Sequence, residues 1–417
     1  MIWLLIGYMW LFIHRPFEIW PVFGTIRLER TYMILTILYW LTTRPALPSR
    51  NRLHLYMALF ILAILASWLA SPYQQRGTAA MENYLKYAVF YALVVTSVRN
   101  VKGLRTILVG HLCVIALYMA HTLREYFCGN VWYAQGIMRM RSLGSTFSDC
   151  NDFAGLVVIG LPFAWVLWYE WTDRWKRGLL LGYLAMSGYC IILTASRMGA
   201  CGFGLAVGMA AVASPKRWRL VAIFPLLFAV LWAVLPAKHQ QRYLTIFGGT
   251  YEAAGQGTVT GQRFRVGGLE RGLELFDQRP LLGFGPQATG QVVGTGMMPH
   301  NLYGQLLGEL GIAGAVAFGL MVLGVGQNAF EARRMARQQG AEDDLLPYRT
   351  VVAMAAAYVL LLFMGWGFNF LLWHVWLWYG GFQVVALCCL KMQAESSHAI
   401  ADSELGMTVD VAETAWV

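Results

Sequence analysis

Charge is scarce in this chain of 417 residues: 13% are charged, against 58% that are apolar. A water-soluble domain carries about twice that charged fraction to cover its surface, so a soluble globular enzyme is excluded. Catalytic motifs of the common soluble classes are also missing. No His-Glu-x-x-His occurs, and no carboxylates are paired in the arrangement that glycosidases use. Gly285-x-x-x-x-Gly290 has the glycine spacing of a phosphate loop. Gln291-Val292 stands where Lys and Ser or Thr are required, however, and no buried strand precedes it. The seven cysteines form no C-x-x-C or Cys/His ligand spacing. No metal site and no cofactor are expected.

What the chain has instead is long apolar runs. A helix of about 20 apolar residues spans the ~30 Å hydrocarbon core and satisfies its own backbone hydrogen bonds there. Clear blocks cover residues 53–70, 84–98, 106–119, 153–168, 178–195, 198–213, 220–234, 302–325, 350–370 and 371–390, with shorter ones at 1–13 and 31–41. The expectation is an all-α polytopic membrane protein of about 12 transmembrane helices in one domain, residues 1–392. The first block lacks a basic leader and a small-residue cleavage site, so it is expected to stay.

Placing Met1 in the cytoplasm puts the connections 42–52, 99–105, 172–177, 214–219 and 327–349 inside. Each holds at least three Lys or Arg, as the positive-inside rule requires. Arg15, Arg27 and Arg30 are the dissenters. The net charge of +10 is then topology plus one basic outer loop, and no nucleic-acid partner is implied. The tail 393–417, with five acidic residues and no Lys or Arg from Ala394 onward, reads as a disordered cytoplasmic end.

Chemistry must therefore sit in two outer loops. The first, 121–152, ends in Gly144-Ser145-Thr146-Phe147-Ser148-Asp149-Cys150-Asn151-Asp152. It contains Cys128 and Cys150, which an oxidising compartment would allow to pair. The second, 236–299, carries Lys238, Arg242, Arg263, Arg265, Arg271 and Arg279. Within it, Phe264, Leu269, Leu273 and Phe276 recur at roughly helical spacing, the pattern of a short amphipathic helix on the membrane surface.

Several segments, in order, resemble the shared domain of O-antigen ligases and Wzy-type polysaccharide polymerases. They are Asn151-Asp152-Phe153-Ala154; Thr194-Ala195-Ser196-Arg197-Met198-Gly199-Ala200; Arg265 followed by Pro280-Leu281-Leu282-Gly283-Phe284-Gly285; and Pro299-His300-Asn301-Leu302-Tyr303 with Leu307-Gly308-Glu309-Leu310-Gly311-Ile312-Ala313-Gly314. The resemblance implies a GT-C-like membrane glycosyltransferase in the bacterial inner membrane, with its site facing the periplasm. It implies an undecaprenyl-diphosphate-linked glycan as donor and a lipid A core sugar or another glycan as acceptor. Neither metal nor nucleotide sugar is implied. Guanidinium groups hold diphosphate oxygens in bidentate fashion at any relevant pH, which suits Arg197 and Arg265. His300 suits general-base removal of the acceptor proton, and Asn301, Tyr303 and Asn151 are candidate substrate contacts.

Each residue has a plainer role beside it. Arg197 fits an interfacial anchor of its helix, Arg265 a contact to lipid phosphates, and His300 a span cap. Asn151 fits an N-cap or span-end bond better than a ligand contact, and Tyr303 fits packing equally well. Gly204-x-x-x-Gly208 and Gly304-x-x-x-Gly308 read as close helix contacts. One long loop and one moderate loop favour a ligase over a polymerase. A transporter or flippase for the same lipid-linked glycan is the reading from another class. No internal repeat supports it, and Lys86 alone breaks the apolar middles of the spans.

Overall fold

Every apolar block forms or contributes to a helix except residues 220–234, most of which lie outside the described residues. The computed structural model describes residues 1–417 apart from 44, 46–47, 135, 145–146, 148, 215–228, 230–231, 234, 236, 248–249, 254–256, 261–262, 295–299, 339–344 and 414–417. Side chains at 21, 247, 250–253, 257–260, 263–266 and 397–413 are likewise outside it.

From the N-terminus, α1 (Ile2–His14) is followed by two short helices, α2 (Pro16–Ile19) and α3 (Pro21–Thr25), and then α4 (Leu28–Thr42). Next come α5 (Arg52–Leu69), α6 (Gln74–Ser97) and α7 (Val101–Phe127). A hairpin of β1 (Val131–Ala134) and β2 (Ile137–Met140) precedes α8 (Cys150–Glu170), α9 (Arg174–Thr194) and α10 (Arg197–Val212). The second outer loop holds α11 (Ala237–Leu244), a 3-10 turn (Thr245–Phe247), a hairpin of β3 (Thr250–Ala253) and β4 (Gly257–Thr260), α12 (Arg263–Gln278) and α13 (Thr289–Val292). The chain closes with α14 (Leu302–Gln338), α15 (Leu346–Gly365) and α16 (Val375–Glu413), whose helical backbone continues through the acidic stretch after Ala394.

The protein is a multi-pass membrane protein. Among the described residues, seven helices are long and apolar enough to cross a bilayer: α5, α7, α8, α9, α14, α15 and α16 through Ser396. α1 and α10 are apolar but shorter. The two hairpins are additions that an all-helical expectation did not contain. α8 and α16 form the centre. Trp376, Trp378, Tyr379 and Phe382 of α16 are fully buried, and so are Phe153 and Phe163 of α8.

The boundary between the last two spans differs from the sequence reading. Helix stops at Gly365, and residues 366–374 form a buried turn before α16 begins. Irregular backbone at the end of a bundle survives only where protein groups satisfy it. Here the Trp376 indole donates to the Phe370 carbonyl at 2.7 Å. Gly155 of α8 makes room for Phe370 and Trp373, because a Cβ there would lie 2.5 Å from the Phe370 ring.

α12 is the predicted amphipathic helix, but it buries a different face. Gly268, Gly272 and Leu275 point inward, whereas Leu273 is exposed. The partner is α14. A Cβ on Gly272 would lie 2.2 Å from the Gly304 backbone, and one on Gly304 would lie 2.2 Å from the Gly268 carbonyl. Glycine wins over the larger apolar residues because it alone permits this backbone approach. The Gly304/Gly308 pair thus packs as expected. Gly204 and Gly208 do not: a Cβ at either meets nothing within 4 Å among the described residues.

Beside this contact α14 is broken. Gly311 has φ 61 and ψ −160, which only glycine adopts without strain. The break exposes backbone groups that pair with the Pro280–Gly285 motif. Phe284 N–H donates to Gly308 O (3.0 Å) and Gly285 N–H to Glu309 O (2.9 Å), while Ile312 N–H donates to Pro280 O (2.8 Å). The Glu309 side chain is fully buried and accepts from Gln287 N–H (2.9 Å), the Thr289 hydroxyl (3.0 Å) and the Gln305 amide (3.1 Å). Two motifs far apart in sequence are therefore the two halves of one clasp.

Two outcomes are expected. Gly272→Ala forces backbone apart and should cost about 1–3 kcal/mol, read as a lower unfolding midpoint in detergent; an unchanged midpoint would contradict the packing. Glu309→Ala orphans three donors, at about 1–3 kcal/mol each before relaxation. Residues 279–294 should then become susceptible to limited proteolysis, with Glu309→Gln less so.

Candidate functional site

Several of the candidate residues gather at the end of α9. Ala195 takes a left-handed conformation (φ 49, ψ 31), reversing the chain so that α10 starts at Arg197. A left-handed alanine costs roughly 1 kcal/mol or more, and the turn is held by two buried arginines. Arg139 of β2 donates Nε to Thr194 O at 2.8 Å, and Arg242 of α11 donates Nε to Ala195 O at 2.8 Å. Both guanidinium side chains are about 95% buried, with relative exposures of 5% and 4%.

Ser196 caps α10 by accepting Gly199 N–H (3.2 Å), and its hydroxyl donates to Asn151 Oδ1 at 2.9 Å. Arg139 Nη2 donates to the same Asn151 oxygen at 3.3 Å. The cap of α8 is Asp149, whose carboxylate accepts Asn151 N–H at 2.6 Å. Asn151 is thus a span-end link between α8, β2 and the start of α10. Arg197, first residue of α10 and half-buried, donates Nη1 to the Thr245 hydroxyl at 2.5 Å. That bond ties it to the outer loop, which a lipid-facing anchor would not require. Three guanidiniums and the positive end of a helix dipole converge here.

His239 lies on the same face of α11 as Arg242, three residues away. It is buried, and neither ring nitrogen has a hydrogen-bond partner among the described residues. Burial lowers its affinity for a proton, and the guanidiniums of Arg242 and Arg139 lower it further.

The second group of candidates sits at the start of α14. Asn301 is the cap: its Oδ1 accepts from Tyr303 N–H (3.0 Å) and Gly304 N–H (2.9 Å), and its Nδ2 donates to Trp366 O (3.3 Å). His300 is therefore not the cap, and its side chain is exposed. Tyr303 donates to Leu362 O at 2.9 Å and lies 6.1 Å from the Trp366 ring, so packing accounts for its hydroxyl. Arg265 is in the first turn of α12, one turn before Gly268, which packs against His300 and Asn301. Its side chain lies outside the described residues, as do Pro299, Ser145, Thr146 and Ser148. The turn 366–374 joins the two groups, touching Gly155 of α8 on one side and Asn301 on the other.

Lys86, on α6, pairs with Glu29 at 3.4 Å and Asn83 at 3.3 Å. Cys128 and Cys150 are both free thiols. Among the described residues no three His, Cys, Asp or Glu side chains cluster in a way that would hold a metal.

Residues 181–319 match the family model described as O-Antigen ligase. The match covers less than half of the chain. It contains Arg197, His239, Arg242, Arg265, His300, Asn301 and Tyr303, and it ends just past the glycine break in α14. Arg139 and Asn151 lie outside it, yet the fold brings them to its first turn. No curated protein matches the chain.

Sequence reasoning passed over Arg139 and His239. Each had a signal: Met138-Arg139-Met140-Arg141 alternates apolar and basic residues as a strand does, and His239 and Arg242 are spaced to share one helix face. Arg139→Ala should cost about 1–3 kcal/mol by leaving the Thr194 carbonyl unpaired. Arg139→Lys should restore little, because a lysine lacks the fork that serves Thr194 and Asn151 together. Thermal unfolding of both variants in detergent checks this; full rescue by lysine would contradict it.

Proposed function

We propose that the protein is an O-antigen ligase-type glycosyltransferase of the bacterial inner membrane, with about twelve spans and a GT-C-like fold. It moves a glycan from undecaprenyl diphosphate to a hydroxyl of the lipid A core at the periplasmic face, without metal or nucleotide. The observation that carries this reading is the convergence of Arg139, Arg197 and Arg242 on the outer start of α10, inside or beside the matched segment. Concentrated positive charge at an interfacial, partly desolvated site fits a diphosphate leaving group.

The chemistry runs as one displacement. His300 takes the proton from the acceptor hydroxyl as its oxygen attacks the anomeric carbon. The bond from that carbon to the diphosphate oxygen breaks, and the electron pair leaves with the diphosphate. Arg197 and Arg265 neutralise the charge that builds on the departing oxygens. Attack opposite the leaving group inverts the anomeric centre. Asn301 holds the backbone that presents His300, Tyr303 supports it through Leu362 and Trp366, and Asn151 fixes the turn that presents Arg197.

The test is transfer by purified protein in nanodiscs, with lipid-diphosphate glycan, candidate acceptors and EDTA. Wild type should form product with inverted configuration. His300→Ala should lower the rate by about 10²-fold or more, the scale of general-base catalysis, and Arg197→Ala and Arg265→Ala should lower it comparably while staying folded. Product that extends the donor glycan itself would make the protein a polymerase using the same donor. Movement of lipid-linked glycan across vesicles with no product from any acceptor would make it a transporter.

A further inference from the structure

We infer that His239, together with Arg139 and Arg242, forms a proton-linked subsite for phosphate oxygens, in which the imidazole takes up a proton as the anion binds. The inference rests on the transferase reading for the identity of that anion as the donor's diphosphate. The geometry itself calls for an anion of some kind. Arg139 is about 95% buried, yet its partners are a carbonyl and an amide oxygen, with no carboxylate in ion-pair distance among the described residues. A buried cation without a counter-charge is costly, and structures normally resolve that cost by pairing. His239 stands in the same pocket with two orphaned ring nitrogens and a relative exposure of 8%. A buried imidazole lacking partners for both nitrogens is placed to receive a ligand's hydrogen bonds.

The groups facing this pocket come from four elements. α11 supplies His239, Arg242 and Tyr243, whose hydroxyl donates to Ile191 O of α9 at 3.2 Å. β2 supplies Arg139. Cys150 at the start of α8 and the cap residue Asp149 stand near the two guanidiniums, and α10 supplies Cys201 beside Tyr243. Burial and then the two guanidiniums weaken the hold of His239 on a proton. A phosphate bound among them cancels that field, and its oxygens accept from an imidazolium N–H. Protonation then becomes favourable. The sign follows: binding takes up a proton, so affinity rises as pH falls through the window between the two states of His239, by up to about tenfold per pH unit.

The experiment follows deuterium exchange at the imidazole C2 position in the intact protein in nanodiscs, from about pH 5 to about pH 9. The peptide carrying His239 is read by mass spectrometry with and without inorganic pyrophosphate. The inference expects the His239 titration to move upward when pyrophosphate is present. An unmoved His239 curve at saturating pyrophosphate overturns it, as does failure of the folded protein to bind pyrophosphate. Wild type is sufficient for this readout; His239→Asn adds a check, and should bind pyrophosphate with a shallower pH dependence. Transfer activity in the same preparation separates the two claims. Active enzyme with an unmoved His239 removes this inference alone, whereas a shifting His239 without any transfer removes the transferase reading and leaves the pocket.

Discussion

A reversal of the chain between α9 and α10 leaves carbonyls that need donors, and this constraint organises the residues around it. The last carbonyls of α9 cannot be satisfied within the helix. Thr194 and Ala195 receive theirs from Arg139 and Arg242, which reach in from a hairpin and a short helix of two different outer loops. Cationic donors do what water would do at an exposed helix end. The consequence is electrostatic: satisfying the turn imports two positive charges beside the positive start of α10 and beside Arg197. The proposed anion site would thus rest on the same bonds that close the turn.

The clasp at Gly311 does the corresponding work for the other half. α12 docks through glycines onto α14, and the Pro280–Gly285 segment pairs with the broken backbone of α14. Glu309 locks the following loop from inside. These contacts fix where His300 and the first turn of α12 stand relative to each other. The motifs that look most like a fingerprint here, the glycines and the Glu309 segment, hold backbone together.

How much of this was legible in the sequence follows from range. The long apolar helices were readable because each apolar block is a local property, whereas Arg197 and His300 stand out in sequence only through short ordered motifs. The face that α12 buries was not: Phe264, Leu269, Leu273 and Phe276 give the stronger apolar pattern, but Gly268 and Gly272 decide the packing because backbone contact depends on the partner helix. The turn at 366–374 was hidden by its own hydrophobicity, since Phe370 and Leu371 are as apolar as a span. Arg139 was the hardest to see. Its role depends on Thr194 and Asn151, and in sequence it resembles any basic residue in a polar loop. The segment 220–234 remains a reading of composition alone.

The central claim is that the outer start of α10 receives a diphosphate. The most direct measurement is a cryo-EM map of the full chain in nanodiscs with undecaprenyl diphosphate bound. The account predicts phosphate density at the first turn of α10, within hydrogen-bond reach of Arg197 and facing the Arg139–Arg242 pair. Phosphate density away from that turn, for example beside Lys86 and Glu29, with the arginine cluster unchanged, would contradict it.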